Sequence, residues 1–134
     1  MPTKTFINLP VNDLEKSKAF FVALGFTINP QFTDSSAACV VISDTIYAML
    51  LTHETAKRFT KKEIVDAKKS TEVLIALSAE SREKVDEMAA RAVQAGGNIQ
   101  RPPEDHGWMY SQSIEDLDGH IWEILWMDEN HIQK

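Results

Sequence analysis

The chain has 134 residues, 43% of them hydrophobic and 25% charged, which fits one globular domain with a real core and excludes a disordered or fibrous chain. The formal net charge of −6, with basic residues scattered apart from a mild cluster between Lys57 and Lys69, argues against a nucleic-acid partner, which needs a concentrated basic face. No apolar run approaches bilayer length and the N-terminus lacks a signal-peptide pattern, so the expectation is no membrane partner and a cytoplasmic location. In chain order, Thr5 to Val11 alternates as a strand, with Ile7, Leu9 and Val11 on one face and Phe6, Asn8 and Pro10 on the other. Asn12, with Glu15 three residues on, forms the pattern of a capping box, and Leu14, Ser17, Phe20, Phe21 and Leu24 recur at helical spacing up to Gly25. Three short strands are predicted at Phe26–Phe32, Ala37–Ile42 and Ile46–Thr52. Cys39 is the only cysteine; an internal disulfide and a cysteine-rich zinc site are therefore excluded, and its apolar setting reads as a small core residue.

A polar stretch from His53 to Thr71 follows, with one helical turn expected near Lys61 to Ala67, and it reads as a link between halves. The second half repeats the first. Glu72–Ala79 is a strand, Ser81 caps a helix with an apolar stripe of Val85, Met88, Ala89, Ala92 and Val93, and Gly96-Gly97 stops it. Strands follow at Asn98–Arg101, Trp108–Ile114 and His120–Met127, with a loop from Pro102 to Gly107 and a closing turn at Asp118-Gly119. Two tandem βαβββ modules make an α+β fold: module one at about 1–53, a linker at about 54–71, module two at about 72–128 and a tail at 129–134, in a single domain over 1–134. Such modules suit a curved mixed sheet around a concave cleft, with the helices outside.

Chemistry-bearing residues are few. Glu123 stands between Trp122 and Ile124 in the most apolar strand near the C-terminus, where an unpaired carboxylate is costly without a purpose. His106 and Trp108, in and beside the Pro-Pro-Glu-Asp-His-Gly loop, are the candidate rim contacts for a ligand. His53, His120 and His131 lack the spacing of a metal site, and His131 falls in a frayed tail. Trp122 and Trp126, on the face opposite Glu123, are assigned to packing.

The opening F-I-N-L-P-V-N-D-L-E-K-S-K-A-F-F-V-A-L-G-F and the closing E-D-L-D-G-H-I-W-E-I resemble the vicinal oxygen chelate superfamily of glyoxalase I, bleomycin and fosfomycin resistance proteins and extradiol dioxygenases, and especially a subgroup of small bacterial proteins similar to lactoylglutathione lyases. The resemblance covers nearly the whole chain and implies a homodimer. It also implies metal-dependent chemistry, in which one side chain from the first and last strand of each module holds a divalent cation that stabilises a developing enolate or oxyanion. Carried onto this sequence, those positions are Phe6, Leu50, Leu74 and Glu123, and three of the four cannot ligate a metal. The expectation is therefore no metal and no other cofactor. What remains is a largely apolar cleft lined by Phe6, Asn8, Ala48, Leu50, Leu74, Ala76, Ile121, Glu123 and Leu125, which would bind a small organic molecule. Desolvation would raise the pKa of Glu123 and poise it as a polar anchor or a general base, the candidate catalytic residue. Two other readings stay open: a metal-dependent lyase or dioxygenase, and a non-catalytic interaction module.

Overall fold

A computed structural model describes residues 2–131; the last three residues of the expected tail lie outside the described residues. The chain divides into two compact units, Met1–Val65 and Asp66–Lys134, each built on a four-stranded mixed sheet. Among the described residues no helix is long and apolar enough to cross a membrane.

Unit 1 opens with β1 (Thr5–Val11), α1 (Leu14–Ala23), β2 (Thr27–Asn29), β3 (Ala37–Val41) and β4 (Ile46–Thr52), in the sheet order β1-β4-β3-β2. β1 and β4 run parallel and the other neighbours antiparallel. The cap of α1 is Asp13, not Asn12: its carboxylate accepts from the Lys16 amide at 3.1 Å, and Asp13 has the extended backbone a capping residue needs. Leu14, Ser17, Phe20 and Phe21 are the buried side of α1, and the rings of Phe20 and Phe21 meet edge to face at 5.1 Å. They pack on the face of the sheet that carries Leu9, Val11, Ala38, Val40, Ala48 and Leu50, all buried. Cys39 is buried as expected, and burial pushes its thiol pKa up, away from nucleophile chemistry. The strand expected at Phe26–Phe32 stops at Asn29, because Pro30 fits the first position of the 3₁₀ turn Pro30–Phe32 and Asn29 caps that turn through the Gln31 amide at 2.9 Å.

After β4 the chain forms α2 (His53–Ala56) rather than a turn at Lys61–Ala67. Thr52 sets it there: its hydroxyl accepts from the Thr55 amide at 3.2 Å and pairs with the Thr55 hydroxyl at 2.9 Å.

Unit 2 holds β5 (Leu74–Ser78), α3 (Arg82–Gln94), β6 (Asn98–Asp105), β7 (Met109–Glu115) and β8 (Ile121–Met127), in the sheet order β5-β8-β7-β6. Ser81 caps α3 through the Lys84 amide at 3.1 Å, as the sequence predicts. Val85, Ala89 and Ala92 are its buried stripe and Leu77, Ile114, Trp122 and Ile124 are buried on one face of the sheet, whereas Val93 is largely exposed. The residues expected as a loop from Pro102 are strand up to Asp105. Two register shifts, between Ile99 and Arg101 and between Arg101 and Glu104, let β6 carry Pro102 and Pro103 on the sheet edge, where an N–H is not required. Both units are thus βαβββ repeats.

Candidate functional site

Strand pairing defines which residues of the two repeats correspond. Phe6 and Leu74 each lie seven residues before their helix cap, Asp13 and Ser81, and Asn8 and Ala76 each lie five before it. In the parallel pairs, Ala76 opposes Glu123 while Asn8 opposes Met49. The counterpart of Glu123 is therefore Met49, and the expected Leu50 is one residue out of register. Leu50 opposes Leu9 and is fully buried on the α1 face, so it is core and offers no surface to a ligand. The physical reason is that Ile46–Thr52 is apolar on both faces, and a one-residue slip moves every side chain to the other face. Ala48 slips with it.

Phe6 and Leu74 are both more than half exposed, and the Phe6 ring stacks on Tyr47 at 4.9 Å between centroids. Asn8 faces a cavity of unit 1 of about 320 Å³, lined by Asn8, Pro10, Leu51, Ala56, Phe59, Thr60 and Ile64. His106 and Trp108 belong to the turn between β6 and β7. His106 Nε2 lies 3.4 Å from Glu104, and Trp108 stacks against His131 at 4.5 Å, which removes His131 from the expected frayed tail. Below that turn, Arg82 holds Asp105 with two hydrogen bonds of 2.8 and 2.9 Å, and lies over the rings of Tyr110 and Trp126. The guanidinium holds the Asp105 carboxyl at about 2.

Glu123 is not an unpaired acid. Across the sheet it opposes Ser113 on β7, and Ser113 opposes Arg101 on β6, so three adjacent strands line up Glu123, Ser113 and Arg101. Arg101 Nη2 donates to Oε1 and Oε2 of Glu123 at 2.8 and 3.0 Å, with the glutamate side chain 14% and the arginine 32% exposed. Arg101 Nη1 lies 3.0 Å from Glu104 Oε1 but out of line for a hydrogen bond, which leaves it a buried donor held by charge alone. The bond from Glu123 raises the pKa of Arg101 further, against the opposing effect of burial. Sequence reasoning missed Arg101 because its reach depends on the two register shifts of β6, which no local pattern announces.

A second carboxylate missed in the sequence is Asp116. It is buried at the closing turn and accepts from the amides of Asp118 and His120 and from the indole of Trp122, each at 3.0 Å. Burial pushes its pKa up, while His120 and these donors work the other way. Its signal was legible: an aspartate three residues before a glycine is the start of a tight turn. Only Gly119 of the expected Asp118-Gly119 pair has positive φ.

The donor chemistry at the repeat-related positions does not fit a divalent cation. Phe6 and Leu74 offer no lone pair, Met49 offers a thioether, and the one hard donor, Glu123, is engaged by Arg101. Among the described residues no three His, Cys, Asp or Glu side chains gather as a metal site would require.

The sequence profile of the Glyoxalase/Bleomycin resistance protein/Dioxygenase superfamily matches residues 5–124. The chain belongs to that superfamily, and its two sheets with their helices are the tandem βαβββ fold of it. Among solved structures it is similar to hypothetical protein SA1046 from S. aureus, with 30% identity and a TM-score of 0.79 over 94% of this chain and 95% of that one. A superfamily enzyme from Burkholderia phytofirmans PsJN reaches the same TM-score of 0.79 at 16% identity, over 94% of this chain and 99% of that one. The fosfomycin resistance protein FosX from Listeria monocytogenes gives 0.70 at 21% identity, over 97% of both chains. At those two identities the likeness is one of fold. A comparison with curated proteins found no match.

Proposed function

We propose that this protein binds a small organic molecule and does so without the divalent cation that its superfamily commonly uses. The observation that supports the reading is the Arg101–Glu123 pair: at the position where the family carries a metal ligand, this chain carries a carboxylate already neutralised by a guanidinium of its own sheet. Glu123 then acts as a polar anchor together with Arg101, rather than as an isolated base. The Glu123 carboxylate keeps lone pairs to accept from a ligand N–H or O–H, and Arg101 fixes its orientation. A homodimer is part of the same reading.

Elemental analysis of protein purified without chelator tests it. The expected result is no stoichiometric transition metal, together with stabilisers found by thermal-shift screening whose effect weakens in Glu123→Gln and Arg101→Met. A stoichiometric metal that disappears in Glu123→Ala overturns the reading in favour of a metal-dependent lyase or dioxygenase. Light scattering coupled to size exclusion measures the oligomeric state.

A further inference from the structure

We infer that residues 57–62 of unit 1 are a docking surface for an anionic lipid membrane, with the Phe59 ring entering the headgroup layer and Lys57, Arg58, Lys61 and Lys62 facing the lipid phosphates. The inference draws on unit 1 alone and does not use Glu123. The chain order is Lys57-Arg58-Phe59-Thr60-Lys61-Lys62, a pair of cations on each side of one aromatic residue, and all six are exposed. Phe59 keeps 74% of its surface in water, the largest exposure of any large apolar side chain among the described residues. The strip is held by its backbone: the amides of Lys57, Arg58 and Phe59 donate to the carbonyls of His53, Thr55 and Ala56 at 3.0, 3.0 and 3.1 Å, and the Lys62 amide donates to the Thr60 hydroxyl at 3.0 Å. An ordered backbone presents the ring and the four charges together, which leaves little ordering for binding to impose.

The four cations are uncommitted. Among the described residues no carboxylate lies at ion-pair distance from any of them, and Arg58 senses the charge of Asp34 without pairing with it. In unit 2, by contrast, Arg82, Lys84, Arg91 and Arg101 each pair with an acid. The whole chain carries −6 although these six residues carry +4, so the rest of it carries −10. An anionic surface is therefore complementary to this strip and to little else, and repulsion from acids more than about 8–10 Å away is screened at physiological salt. A protein partner fits less well. Stable protein interfaces bury a broad complementary area, which six residues do not offer, whereas a fluid headgroup layer moulds itself to a short strip. The sequence expectation of no membrane partner rests on the lack of a spanning run, which has no bearing on contact with a membrane surface.

The test is co-sedimentation of the full chain with lipid vesicles. On phosphatidylcholine vesicles containing about 30% phosphatidylglycerol, reversible binding is expected that falls at least about tenfold at about 0.5 M salt and is absent on pure phosphatidylcholine. Lys61→Gln with Lys62→Gln should weaken it about 25-fold, about fivefold for each charge removed, and Phe59→Ala about fivefold. Lys16→Gln with Lys84→Gln makes the same change in net charge at exposed positions outside the strip, and binding should stay within about twofold of the parent. Every replaced side chain is exposed, so circular dichroism and melting temperature should match the parent throughout. No binding to the anionic vesicles, equal loss in the two double variants, or full binding by Phe59→Ala overturns the inference. So does binding to soluble polyglutamate without binding to vesicles, which assigns the strip to an acidic protein segment instead. These readouts do not depend on metal content, so their failure is distinguishable from failure of the metal analysis at Glu123.

Discussion

Arg101 and Glu123 face one another across an intervening strand, with one guanidinium nitrogen donating to both carboxylate oxygens at 2.8 and 3.0 Å. Because the glutamate is mostly enclosed, removing the arginine leaves a carboxylate that has lost its donors, whereas replacing both groups leaves no enclosed charge without a partner. Arg101→Met and Glu123→Gln should each lower stability by about 1–3 kcal/mol, and the double variant by about 1 kcal/mol less than their sum. Chemical denaturation of the four proteins in the cycle measures this. Strict additivity would mean the pair contributes nothing.

Asp116 carries the closing turn. Its three donors include the Trp122 indole, which is enclosed in the core and has no route to water. Asp116→Ala strips all three and should destabilise the protein by about 3–5 kcal/mol. Asp116→Asn keeps one acceptor oxygen for the turn amides but sets an NH₂ against the indole N–H, and about 2 kcal/mol of loss is expected. Thermal and urea unfolding check both, and near-ultraviolet circular dichroism reports the Trp122 environment directly.

The repeat, β1, β4 and the Ser81 cap were legible because each rests on local chemistry: alternation, helical spacing and a hydroxyl at the right position. What was not legible is non-local. Whether Leu50 or Met49 matches Glu123 depends on strand register, and a strand apolar on both faces gives no alternation from which to read it. The partner of Glu123 was hidden for a related reason. Pro102-Pro103 reads as loop, yet two bulges carry β6 past it and bring Arg101 level with Ser113. The pocket wall at Phe59 and Thr60 lay in a segment whose only sequence signal was polarity.

Asp105 and Arg82 give the stability a defined acid dependence. The folded pKa of Asp105, about 2, lies below its ordinary value of 3.8, so the pair stabilises the folded state above the unfolded value and that contribution is lost as pH falls toward 2. The difference in melting temperature between the parent and Arg82→Met should be constant above about pH 5 and shrink between about pH 4 and 2. A difference that persists unchanged at pH 2 would assign the effect of Arg82 to its stacking on Tyr110 and Trp126 and its bond to the Gly107 carbonyl instead.

Two glycines separate backbone strain from steric exclusion. Gly107 and Gly119 have φ of +80° and +92°, so an alanine at either incurs the cost of a left-handed conformation, about 1–2 kcal/mol. Around Gly107 an added Cβ meets nothing within 4 Å. At Gly119 it would lie 2.7 Å from the Lys68 amide nitrogen and 2.8 Å from the Ala67 carbonyl, which are backbone atoms and cannot turn aside. That backbone is tied down by Asp66, whose carboxylate accepts from the Lys68 amide at 3.0 Å and whose carbonyl accepts from Lys69 and Ser70. Gly107→Ala should therefore cost about 1–2 kcal/mol, and Gly119→Ala about 2–3 kcal/mol more, as the 66–70 turn is forced off the closing turn. Equilibrium unfolding compares the two. Amide exchange at Lys68 to Ser70 should accelerate in Gly119→Ala alone, and equal costs with no change in exchange would show that the turn yields freely.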